Sequence, residues 1–176
     1  MSITMGIQST PANMPTDNYL LRAPQESDLP AIVDFEIEIA RISFPDDAIV
    51  DPAVHHKKLA KALERDREGM FVAENRATGE IEGWLWVALN TNFLTEEHYA
   101  TFRSLATKHG PDHSESAAVA DLLFAHGIDY AEQKGIKEIT GKVHVDNTAM
   151  RLVYRKFGFQ AEHLTMKRVE PSDASK

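Results

Sequence analysis

Val143-His-Val-Asp-Asn-Thr-Ala-Met-Arg-Leu-Val-Tyr-Arg-Lys-Phe-Gly-Phe159 is the stretch on which the reading of this chain turns. Val143 and Val145 alternate with polar residues, as at the end of a β-strand with one covered face. Asp146 or Asn147 comes next, and either side chain can accept from the free N–H groups that open a helix. Met150, Val153, Tyr154 and Phe157 then recur at helical spacing. Gly158 ends the run with a residue that tolerates the left-handed conformation. The spacing predicts a strand feeding a short amphipathic helix, and Tyr154 carries the one hydroxyl on its buried side.

Working outward, the 176 residues suffice for one domain with a real core and are few for two. We expect a single domain over 18–170, with tails at 1–17 and 171–176. The chain has no cysteine, which excludes disulfides, thiol nucleophiles and thiolate metal sites and fits a cytoplasmic protein. No long apolar run or charged-then-apolar leader is present, so no membrane partner is expected. A net charge of −8 argues against nucleic acid, whose phosphates need a basic face. His55 and His56 are adjacent and cannot share one site on a helix, and His109 with His113 lacks a supporting carboxylate pattern. No metal is expected.

Tyr19–Arg22 reads as a short strand. Ser27 or Asp28 then caps a helix with Pro30 in its first turn and an apolar stripe of Ile32, Phe35, Ile39 and Ile42. Asp51-Pro52 opens a second helix with Leu59, Ala62 and Leu63 inward, and Lys57, Lys58 and Lys61 on a solvated face. Met70–Ala73 and Ile81–Leu89 form a hairpin. Trp84, Leu85, Trp86 and Val87 are apolar in succession, which places the second of these strands mid-sheet with both faces covered. Asn90–His98 reads as a loop and Tyr99–Lys108 as a strand. A long helix over Ala117–Lys134 is followed by a strand over Ile136–Val145, the opening helix, and a closing strand over Gln160–Arg168. This order predicts a mixed α/β sheet, mostly antiparallel, with helices on both faces. The two-tryptophan strand and the short closing strand are compatible with a homodimer.

The element order, together with Tyr130-Ala-Glu-Gln-Lys-Gly-Ile-Lys-Glu-Ile139 and Asn147 followed by Tyr154 and Gly158-Phe159, resembles the GNAT superfamily of acyl-CoA-dependent N-acyltransferases. The likeness covers roughly residues 19 to 168. It implies a sheet splayed between its fourth and fifth strands, with acetyl-CoA as co-substrate and its pantetheine arm in the gap. The backbone of Leu105, Ala106 and Thr107 would pair with that arm, and an N–H near Ala106 or Thr107 would face the thioester oxygen. Asn147 would contact the arm or simply cap its helix. Ser116, Ala118, Val119 and Ala120 would meet the pyrophosphate at the start of the long helix. That segment departs from the family pattern, because Ala118 stands where a glycine is expected and Glu115 where a cation is expected. Asp112 with Glu115 also reads as a capping box, which would begin the helix one turn early. Lys108, His109 or His113 would then have to supply the positive charge.

The resemblance implies an N-acetyltransferase acting on an amine of a small molecule or protein, with Tyr154 protonating or stabilising the leaving thiolate. Glu36, Glu38, Asp46, Asp47 and His144 are candidates for the general base, and the sequence does not choose among them. The degenerate loop supports a second reading, a GNAT-like domain that binds acyl-CoA weakly and serves as a binding or regulatory module.

Overall fold

In the computed structural model, which describes residues 16–109 and 113–168, one strand is shared by two hydrophobic layers. The elements run β1 (Tyr19–Arg22), α1 (Leu29–Ser43), α2 (Pro52–Asp66), β2 (Met70–Asn75), β3 (Ile81–Thr91), β4 (His98–Thr107), α3 (Ser114–Gln133), β5 (Glu138–Gly141) and α4 (Thr148–Lys156). They make one five-stranded sheet in the order β1-β2-β3-β4-β5, antiparallel except for the parallel β4–β5 pair. Trp84 and Trp86 of β3 enter the layer built with α1 and α2, and Leu85 and Val87 enter the layer built with α3. All four are buried, as an apolar run at the centre of a doubly covered sheet requires. The expected mixed sheet with helices on both faces is therefore observed.

The entry to α1 is fixed by charge. Arg22 of β1 donates to Asp28 through both terminal nitrogens (2.6 and 3.0 Å) and to Glu74 of β2 through Nε (2.7 Å). Pro30 lies in the first turn of α1, where its missing N–H costs nothing. Asp51 caps α2 by accepting from the Ala53 N–H at 2.9 Å, and Leu59, Ala62 and Leu63 face inward as the spacing demands.

Several boundaries differ from the sequence reading. The buried residues of α1 are Leu29, Ile32, Val33, Phe35 and Ile37, whereas Ile42 is half in solvent. The last turns of α1 border an open cleft, so Ile42 faces space there rather than packed side chains. β5 stops at Gly141 rather than Val145, because its ladder with β4 ends at Phe102↔Gly141 and the following residues find no partner strand. No closing strand forms over Gln160–Arg168, and Leu164 and Met166 are 88% and 87% exposed. A strand is stable only with a ladder and a covered face, and that segment has neither. β3 and β4 reach Thr91 and His98, so the loop expected over 90–98 shrinks to a turn in which Asn92 Oδ1 accepts from the Leu94 N–H at 2.9 Å. α3 begins at Ser114 rather than Ala117. Trp84 and Trp86 are buried inside the chain. The expected tails lie outside the described residues except for Thr16 and Asp17, which enter a short 3-10 turn.

Candidate active site

The β4–β5 ladder runs from Tyr99↔Glu138 to Phe102↔Gly141 and then stops, while β4 continues for five more residues. Over Arg103–Thr107, β4 has β3 on one side and no strand on the other. The Lys108 N–H donates to the Glu82 carbonyl at 2.9 Å. Alternation along an antiparallel pair then turns the main-chain groups of Ala106 toward β3 and those of Leu105 and Thr107 toward the open side. A cleft of about 1040 Å³ opens there. Its floor is β4, one wall is α1 with the loop after it, and the other is formed by residues 142–144 with Asn147, Met150 and Tyr154. Thr107 lines this cleft, and its Oγ1 is a buried oxygen without a hydrogen-bond partner among the described residues.

Tyr154 is brought to the cleft by a helix with two well-made ends. Asn147 Oδ1 accepts from the Met150 N–H at 3.0 Å and caps α4. At the other end Gly158 takes φ +84°, which lets the Phe159 N–H reach back to the Tyr154 carbonyl at 3.0 Å. Lys156 pairs with Asp121 of α3 and holds α4 against that helix. The tyrosine ring is wedged edge-on between Phe124 (5.0 Å between centroids) and Phe159 (5.1 Å). Its hydroxyl lies over the last residue of β5, and a Cβ on Gly141 would fall 2.1 Å from that oxygen. The hydroxyl therefore sits at the point where β4 and β5 part. Burial raises the phenol pKa well above its ordinary value, so the group is a neutral donor, and it has no hydrogen-bond partner among the described residues.

Four of the expected residues, Leu105, Thr107, Asn147 and Tyr154, line the one cleft. The others do not join them. Ala106 packs in the opposite layer, against the α1–α2 core. Ser116 is buried, and its Oγ accepts from the His109 N–H at 3.2 Å. The Ala117 N–H already donates to the His113 carbonyl at 2.7 Å, so the amides of α3 outside its helical ladder are those of Ser114, Glu115 and Ser116. Ala118, Val119 and Ala120 lie beyond them, where helical bonding consumes their N–H groups, and Val119 and Ala120 are buried in the core. The helix thus begins about one turn before Ala117, the start that the capping-box reading expected. Asp112 of the expected capping box lies outside the described residues, and the observed N-cap is His113, without a side-chain cap bond. Lys108 is engaged with Glu80 at 2.6 Å, and the His109 and His113 rings lie 5.2 Å apart.

Among the candidate bases, Glu36 accepts from the Trp84 indole N–H at 2.7 Å and serves the core. Asp46 and Asp47 are exposed in the turn after α1 and do not line the cleft. Glu38 and His144 do line it, and the Asp146 N–H holds His144 Nδ1 at 3.3 Å. Two residues that bear on the site escaped the sequence reading. Gly141 carries no motif of its own, and its role is visible only against Tyr154. Asp34 could have been found, since it sits four residues before Glu38 on the same helix face. Among the described residues, no group of three or more His, Asp or Glu side chains is placed to hold a metal ion, and no helix is long and apolar enough to cross a membrane.

Against known proteins, the family model described as the acetyltransferase (GNAT) family matches residues 35–159. Solved structures share the fold over most of their length. One is a putative acetyl transferase from Pyrococcus furiosus, 22% identical, with a TM-score of 0.65 over 86% of this chain and 99% of its own. Another is a predicted acetyltransferase from Clostridium acetobutylicum solved with acetyl-CoA, 14% identical, with a TM-score of 0.65 over 86% of this chain and 96% of its own. A third is the glucosamine-6-phosphate N-acetyltransferase of Arabidopsis thaliana, 12% identical, with a TM-score of 0.63 over 86% and 97%. No curated protein sequence matches the chain.

Proposed function

Because the chain belongs to the acetyltransferase (GNAT) family, we propose that it moves an acetyl group from acetyl-CoA to an amine in a ternary complex. The observation that carries this reading is the unpartnered, neutral Tyr154 hydroxyl at the point where β4 and β5 separate. In the proposed reaction the amine nitrogen bonds to the acetyl carbon, the carbon–sulfur bond breaks, and the sulfur leaves as thiolate. The proton lost by the amine passes to solvent or to a nearby base.

The residues present fit such a substrate. The main-chain groups of Leu105 and Thr107 on the open side of β4 can pair with the amides of an extended arm, as a fifth strand would have done. The orphan Thr107 Oγ1 supports the fit, because a buried hydroxyl left unmade costs about 1–3 kcal/mol and a ligand group would supply its partner. The Thr107 N–H is the preplaced donor for the oxyanion. Asn147 keeps its Oδ1 for the cap and has its amide NH₂ for the arm.

Deprotonating an amine of pKa ~10.4 at pH 7 costs about 4–5 kcal/mol, so Glu38 or His144, or a water chain between them, has a defined task. Tyr154 serves the other end. With ordinary pKa values of ~10 and ~8.5, proton transfer from a phenol to a thiolate is uphill by about 2 kcal/mol. Burial of Tyr154 widens that gap. We therefore assign Tyr154 as a hydrogen-bond donor that stabilises the developing thiolate, with full proton transfer only late in the step.

One observation favours a second reading, a weak acyl-CoA-binding or regulatory module. Glu115 places a carboxylate in the first turn of α3, beside the free amides that a phosphate would need. Isothermal titration with acetyl-CoA separates the two. Binding in the micromolar range, with Tyr154→Phe lowering kcat about 100-fold at unchanged acetyl-CoA affinity, supports the enzyme. Absence of heat at high micromolar ligand sinks it.

A further inference from the structure

α1 brings to the cleft a free carboxylate and an apolar ridge on one side only. Asp34, Glu38 and Ile42 recur every four residues, so they share a helix face, and all three line the cleft. Asp34 is exposed and makes no hydrogen bond or ion pair among the described residues. Glu38 has only a loose contact with Arg41 at 3.7 Å, both side chains 60% exposed, which is too solvated to hold it. Ile42 and Val50, at the two ends of the loop between α1 and α2, are 46% and 48% exposed within the same wall. Isolated exposed apolar side chains are ordinary, but two that border a cleft beside an unpaired carboxylate form a defined chemical pattern. The facing side of the cleft is different in character. It carries Arg103 on β4 and Lys142 on the segment after β5, while Lys108 there is paired at 2.6 Å with Glu80, which lines the cleft as well.

The cleft is thus polarised, with cations toward β4 and β5 and a net acidic, apolar wall on α1. The anionic thioester substrate suits the first side. From the second, we propose that the acceptor is a primary amine carried on an apolar body, of the arylalkylamine or alkylamine class. Its ammonium rests against Asp34 and its body covers Ile42 and Val50. This inference rests on the acetyl-transfer reading of the same cleft. Asp34 acts as a binding group that receives the ammonium before its proton leaves. A polyhydroxylated amine would leave the apolar ridge wet, and a phosphorylated one would meet Asp34 with like charge.

The test uses the full chain with saturating acetyl-CoA and three amines, 2-phenylethylamine, ethanolamine and spermidine. We expect kcat/KM for 2-phenylethylamine to exceed that for ethanolamine about 100-fold and that for spermidine at least tenfold. Asp34→Asn raises the KM for 2-phenylethylamine about tenfold, with kcat and acetyl-CoA affinity unchanged. Val50→Ser, an exposed change that the fold tolerates, narrows the preference over ethanolamine. Equal use of ethanolamine or spermidine, or an Asp34→Asn variant with wild-type KM, overturns the inference. If acetyl-CoA binds and an amine outside this class is acetylated instead, the acceptor class is wrong and acetyl transfer stands. If acetyl-CoA fails to bind, both fall.

Discussion

Gly141→Ala is the sharpest probe of the site, because it tests where the Tyr154 hydroxyl must be without touching the tyrosine. The added methyl would lie 2.1 Å from the hydroxyl oxygen and 2.4 Å from Cε1 and Cζ. Contacts between such atoms settle near 3.5 Å, so the ring tip must retreat by roughly 1 Å. It has little room to do so, since Phe124 and Phe159 meet the ring edge-on at 5.0 and 5.1 Å. Overpacking of this kind costs about 1–3 kcal/mol, or roughly 2–12 °C in Tm for a chain of this size. A misplacement of about 1 Å in a reacting group costs about 100-fold in rate. The assay is a double-mutant cycle on kcat with Tyr154→Phe. Phenylalanine keeps the ring carbons that the methyl would meet at 2.4 Å, so much of the stability loss from Gly141→Ala persists in both backgrounds. The kcat loss does not, because the group being displaced is already gone. Equal kcat losses in the two backgrounds, or wild-type kcat in Gly141→Ala alone, would refute the placement of the hydroxyl at the reacting sulfur.

Three further outcomes follow from individual contacts. Thr107→Val removes a buried hydroxyl that has no partner, so the free protein should hold or gain up to about 1 kcal/mol while acetyl-CoA binds more weakly; tighter or unchanged binding by titration would show that the ligand does not use this oxygen. Asn147→Ala deletes the α4 cap and should cost about 1 kcal/mol, seen as a Tm lower by about 2–4 °C, with Asn147→Ser restoring most of it. Burial alone would raise the Asp28 pKa, but hydrogen bonds from the Arg22 side chain and the Gln25 N–H, with the attraction of the guanidinium, hold it below the ordinary 3.8. Its folded value lies below its unfolded one, so this stabilisation is present above about pH 4 and is lost as pH falls through the folded value. Arg22→Met should cost about 2–3 kcal/mol at pH 7, less than a fully buried pair because the guanidinium is 22% exposed, and denaturant unfolding should show the deficit shrinking toward pH 3.

The parts of the fold that were legible in the sequence are those decided locally. Asp51-Pro52, Asn147 and Gly158 each announce a helix end through backbone chemistry that needs no tertiary partner. The run Trp84–Val87 reveals a doubly covered strand because burial on both faces leaves no polar position. The misread segments depend on distant neighbours. Val143 and Val145 alternate as a strand should, yet strand structure stops where β4 and β5 lose contact, and no residue in 142–145 encodes that event. Leu164 and Met166 also alternate, and they remain exposed because alternation specifies a face and not a partner. The stripe of α1 fails at Ile42 for the same reason. Helical spacing fixes which residues share a face, while what lies opposite that face, here a cleft, fixes how many are covered.

These misreadings fall at the rim of the cleft, and that location has a physical cause. A site needs open main-chain groups, side chains facing space, and a carboxylate or hydroxyl without a partner, and each of these breaks a rule by which local sequence predicts structure. β5 ends early, so Thr107 has an open backbone and an orphan oxygen. The end of α1 borders the cleft, so Ile42 is uncovered beside Asp34, which has no partner among the described residues. Gly141 gives up a side chain at the last rung of the β4–β5 ladder, and the space it leaves is filled by the Tyr154 hydroxyl. One event, the parting of β4 from β5, therefore produces both the room for the proposed substrate arm and the position of the hydroxyl we propose meets its sulfur. A variant that prolonged the β4–β5 ladder beyond Phe102↔Gly141 would gain strand pairing and close the cleft in the same step.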